Sequence, residues 1–94
     1  MSTTIAESSG NVFIDLGFEP AEAVILQMRA KLMSDLREHI QSSGITQADA
    51  VKKLKIGRSK VSSLMRGRWE DFSLEMLITL AARVGCKVTL ELAA

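Results

Sequence analysis

Between Thr46 and Leu64 the apolar residues fall at positions 50, 51, 54, 56, 61 and 64, and Gly57 stands between the two clusters. Spacings of three and four place each cluster on one face of a helix, and the interval Lys55-Ile56-Gly57 leaves room only for a tight turn. Helices this short must pack across an angle over a shared interior, as two amphipathic helices joined by a turn do. Residues 46–66 therefore fix the centre of the fold, and the rest of the chain has to cover them.

The punctuation around this unit agrees. Thr46 can cap a helix containing Gln47–Leu54, with Asp49 at the capping-box position. A second helix runs through Arg58–Arg66 and stops at Gly67. Ser73 caps a third, with Phe72 and Leu77 placed as a hydrophobic staple, and this helix runs to Val84 and ends at Gly85. Upstream, a longer helix begins near Pro20, with Glu19 and Glu22 at its positive end. Its buried stripe is expected to be Ile25, Met28, Leu32, Met33, Leu36 and Ile40, and its end lies near Gly44. Ser34-Asp35 is the place where it can break in two.

Two segments read as extended chain. Val12, Ile14 and Leu16 alternate as a strand does, with Phe13 and Phe18 off that register. Lys87–Leu92 alternates strictly and sets Val88, Leu90 and Leu92 on one face. A lone strand leaves unpaired N–H and C=O groups, so these three residues are expected to join two copies about a two-fold axis. The rival pairing is with Val12–Leu16 of the same chain. Residues 1–10 are small and polar and read as a disordered tail, and residues 11–94 as a single domain. The expected architecture is all-α, a bundle of four to five helices with a short C-terminal β-strand.

Charge is unevenly spread. Residues 44–70 carry seven basic residues against two acidic ones, while residues 1–43 sum to −3 and residues 71–94 to −1. A basic middle third suggests a polyanion as its partner. Inward packing of the second short helix leaves Arg58, Ser59, Lys60, Ser62, Ser63 and Arg66 facing outward, all hydrogen-bond donors with no carboxylate among them. A helix offered to phosphates and base edges has this composition, and double-stranded DNA is the expected partner. The single His39 and single Cys86 exclude an internal disulfide and a zinc site. With no Gly-rich phosphate loop and no spaced carboxylate pair, neither an enzyme nor a cofactor is expected. No apolar run approaches the ~20 residues a bilayer requires, so no membrane partner is expected and the location is taken as cytoplasmic.

These residues resemble the Xre/Cro-repressor family of lambda-repressor-like helix-turn-helix proteins. The likeness covers Leu36 to Gly85 and rests on Gly44-Ile45-Thr46-Gln47, Leu54, Ile56, Val61-Ser62, Leu64, Gly67, Phe72-Ser73-Leu74, Leu77, Leu80, Ala81 and Gly85. Two positions depart from it: Val51 stands where the family packs a small Ala, and Lys55 where its turn has Gly. The resemblance implies that Arg58, Ser59, Lys60 and Ser62 face the major groove, with Ser63 more peripheral. It further implies that Thr46 and Gln47 contact phosphate and that Arg66 and Arg68 hold the DNA backbone. Residues 11–18, the Glu-rich helix and the C-terminal strand are similar to compact HigA-like antitoxins. That likeness implies a RelE-like ribonuclease toxin as partner and repression of the protein's own operon. Val12, Phe13, Ile14, Leu16 and Phe18 are then either the toxin-binding surface or an arm packed on its own core. A protein-interaction module that does not read DNA is the alternative function. Trp69 is expected to pack under the last helix or to touch the DNA backbone from its loop, Cys86 to be a small apolar filler beside the strand, and His39 to pair with Asp35 four residues earlier.

Overall fold

A computed structural model describes residues 10–93, so residues 1–9 of the expected tail lie outside the described residues. Five α-helices and one 3-10 turn occur among them: α1 (Val12–Asp15), α2 (Pro20–Ser43), α3 (Gln47–Leu54), α4 (Arg58–Met65), the turn Trp69–Asp71 and α5 (Leu74–Arg83). No helix among the described residues is long and apolar enough to cross a membrane.

The spine is α2, 24 residues without a break. Pro20 opens it, the Glu19 carboxylate caps the Glu22 N–H at 3.1 Å, and the left-handed Gly44 closes it. Ser34 and Asp35 do not interrupt it. Both are exposed, and Asp35 accepts from Lys31 one turn earlier at 3.0 Å rather than pairing with His39. Met33, Leu36 and Ile40 of the expected stripe are buried, but Ile25 and Met28 are exposed, and Ala23 and Leu26 are buried in their stead. The shift follows from α1, which lies over the Ala23 side. There the Asn11 amide donates to Ala23 O (3.0 Å) and Gln27 Oε1 (3.1 Å).

Val12–Leu16 is no strand. Asn11 accepts from Phe13 N at 2.9 Å and starts a single helical turn. The residues that alternated face solvent, Val12 at 59% and Leu16 at 69% exposure, while off-register Phe13 turns inward onto Phe18 and Trp69. The C-terminal strand expected at Lys87–Leu92 is also not formed, and no strand occurs among the described residues. A strand needs an extended neighbour to take its N–H and C=O groups, and α1 has removed the one intrachain candidate. Val88 still packs against the core, whereas Leu90 is 78% exposed and Leu92 fully so.

The core sits where α2, α3, α4 and α5 meet, with Leu54, Val61, Leu64, Leu77 and Leu80 wholly buried. Phe72, beyond the 3-10 turn, fills its centre at 1% exposure. Cys86 is half-buried against this cluster, as expected of a small apolar filler.

Candidate nucleic-acid interface

Both short helices are built by local chemistry. Thr46 Oγ1 accepts from Asp49 N at 3.1 Å and Asp49 Oδ2 in turn accepts from Thr46 N at 3.4 Å, so α3 begins with a full capping box. The turn after α3 places Lys55 in the left-handed region (φ 58°), the conformation a glycine would take without strain. Ile56 and Val51 are half-buried against the core, so Val51 is accommodated between the helices. Gly57 then opens α4 with no side chain to cap it.

On α4, Val61 and Leu64 are fully buried, which fixes the opposite face at about 100° of rotation per residue. Ser59 and Arg66 lie at the middle of that outer face, both exposed, with Ser62 and Ser63 half-buried beside them. Arg58 is exposed at the first residue of the helix, Arg68 is exposed beyond its end, and Thr46 and Gln47 are exposed at the start of α3. Lys60 departs from this group. It is half-buried, its Nζ lies 4.7 Å from the centre of the Phe72 ring, and it donates to Asp71 O at 2.8 Å.

Three arginines that composition presents only as charge hold this unit in place. Arg37 of α2 donates through Nε and Nη2 to Met65 O, the last residue of α4, at 3.1 and 2.8 Å. Its guanidinium also runs beside Gly67, where a Cβ would meet Nη1 at 3.1 Å. Arg83 of α5 donates to Leu54 O at the end of α3, 2.8 Å away. Arg29 donates to Phe72 O, Trp69 O and Glu70 O around the 3-10 turn and stacks on the Trp69 ring at 5.3 Å. Their partners are main-chain oxygens 28 to 43 residues away, so no local pattern in the sequence marks them.

Two helices closed by a left-handed turn, the second with an outward face of donors, define a helix-turn-helix module, a fold class that suggests a DNA-binding regulator. The chain matches the family model of the helix-turn-helix domain over residues 12–93 and belongs to that family. No curated protein matches it.

Proposed function

We propose that the protein is a sequence-specific DNA-binding repressor rather than an enzyme, acting in the cytoplasm as a homodimer. The observation that carries this reading is the outer face of α4, where Arg58, Ser59, Ser62, Ser63 and Arg66 offer donors and no carboxylate. Arg58 is the side chain suited to bidentate contact with guanine, while Thr46, Gln47, Arg66 and Arg68 surround it as phosphate contacts. Serving as a cap leaves the Thr46 hydroxyl proton free for a phosphate oxygen. One helix of this size reads few base pairs. Two copies joined through Val88, Leu90 and Leu92 would read a near-palindrome with half-sites about 10 base pairs apart, or a multiple of that.

Selection of duplexes from a randomised library, followed by titration of variants, tests the reading. Arg58→Ala is expected to cost about 1–3 kcal/mol on the selected duplex and to relax preference at one base position. Arg66→Ala is expected to weaken all duplexes alike and to lower the salt dependence by about one phosphate contact. Wild-type chain that enriches no sequence would instead favour the interaction module that does not read DNA.

A specific observation favours a second role as the antitoxin of a RelE-like ribonuclease encoded beside it. The arm around α1 and the adjoining half of α2 expose Val12, Leu16, Phe18, Val24, Ile25 and Met28, with Asp15, Glu19 and Glu22 among them. Exposed apolar residues with carboxylates interleaved at the α1 end suit a basic protein partner. Val12→Asp with Leu16→Asp is expected to abolish capture of that ribonuclease in a pull-down while leaving DNA affinity within about twofold, as exposed changes outside the core do. Retention of the ribonuclease by the double variant would exclude this surface.

A further inference from the structure

Lys60 sits on the helix assigned to DNA reading, yet its ammonium group is already engaged by the protein's own surface, in an exposed hydrogen bond to Asp71 O. Its ammonium group lies 4.7 Å from the centre of the Phe72 ring and 2.8 Å from Asp71 O. Phe72 is almost wholly buried, and its carbonyl is held in turn by Arg29 Nε at 2.9 Å. The first turn of α4 is thus clipped to the segment that follows α4, while Arg37 holds Met65 O at the other end of the same helix. To reach DNA, Lys60 would have to give up both the charged hydrogen bond and the ring contact.

We infer that Lys60 is a positioning residue. It sets the pose of α4 and contributes no contact to DNA. The inference rests on the DNA-binding reading above and refines it, since the resemblance counts Lys60 with Arg58, Ser59 and Ser62 among the residues that face the major groove. Its neighbours Arg58 and Arg66 have no such internal bond and remain available to DNA.

Salt dependence separates the two roles, because each phosphate contact adds about 0.9 to the slope of log K against log salt. A positioning residue adds nothing to that slope and acts only where the pose matters, on the selected sequence. Lys60→Met keeps an unbranched apolar chain of similar length and removes the charge and the donor. The probes are a duplex selected by the wild-type chain from a randomised library and a scrambled duplex of equal length.

Lys60→Met is expected to weaken binding to the selected duplex roughly tenfold, the net worth of about one hydrogen bond to a charged group. Binding to the scrambled duplex and both salt slopes should stay as in wild type. Lys60→Arg, which can still lie over the ring and donate, should restore most of the loss and also guards against a folding defect in the first variant. A slope lower by about 0.9, with both duplexes weakened alike, would make Lys60 a phosphate ligand and overturn the proposal. So would a Lys60→Met chain that relaxes preference at one base position alone, which marks a base contact, or one with wild-type affinity and preference throughout. Failure of the wild-type chain to select any duplex would strike the DNA-binding reading itself and the proposal with it, a result distinct from a changed slope in the variant alone.

Discussion

Phe72→Ala is expected to remove about 3–5 kcal/mol of stability, the usual cost of emptying a fully buried aromatic site. A domain of this size holds roughly 5–15 kcal/mol in all, so the change should leave it at the edge of folding at 37 °C. Position explains why this residue has the largest expected effect. Phe72 is 1% exposed at the centre of the cluster formed by α2, α3, α4 and α5, and its ring is also the seat of Lys60. Its carbonyl bond to Arg29 would survive, so the loss is one of packing and of the clip on α4. Phe72→Leu fills most of the same volume and should cost less than half as much. Urea titration followed by circular dichroism measures both, and a Phe72→Ala midpoint within experimental error of wild type would show that this ring is not the centre of the core.

Changing Leu90 and Leu92 to Asp should have the largest effect on function and almost none on folding. Leu90 is 78% exposed and Leu92 fully exposed, so neither side chain supports the core of one chain. Leu90 lines a groove of about 550 Å³ between α2, α5 and the tail, with Leu32, Leu36, Ile78 and Val88 on its walls and Lys31, Asp35 and His39 also among its lining, and Leu92 lies two residues beyond Leu90. If two copies pair through this tail, the double variant should run as a monomer by light scattering. Its affinity for the selected duplex should then fall on the order of 10²- to 10⁴-fold, because two linked sites become two independent ones. A double variant that stayed dimeric with full affinity would exclude the tail as the interface.

The helical skeleton was legible in the sequence because its signals are local. The capping box at Thr46 and Asp49, the glycine stop after Arg66 and the staple of Phe72 with Leu77 each involve residues within a turn or two of one another. What misled was alternation without a partner. Val12, Ile14 and Leu16 carry the period of a strand, but the Asn11 side chain offers the chain a helical start, and only off-register Phe13 has something to pack on. Lys87–Leu92 has the same period, and period alone cannot supply a neighbouring strand. Outward spacing groups Lys60 with Arg58 and Ser59, and nothing in residues 58–66 reveals that a carbonyl eleven residues on and a buried ring twelve residues on will hold its ammonium group. The three arginine clamps were invisible for the same reason, each closing a loop across the whole domain.

Arg29, Arg37 and Arg83 all grip main-chain oxygens, at Trp69, Glu70, Phe72, Met65 and Leu54. Every amino acid presents that oxygen, so the frame is blind to which side chains the exposed face of α4 carries. Ser59, Ser62 and Arg66 can be exchanged without disturbing a single clamp, and the angle at which the helix is presented stays constant while its message changes. Under the proposed DNA-reading role, the domain is in that sense a holder with a replaceable tip, which natural drift or a designer could rewrite by working on one exposed helical face.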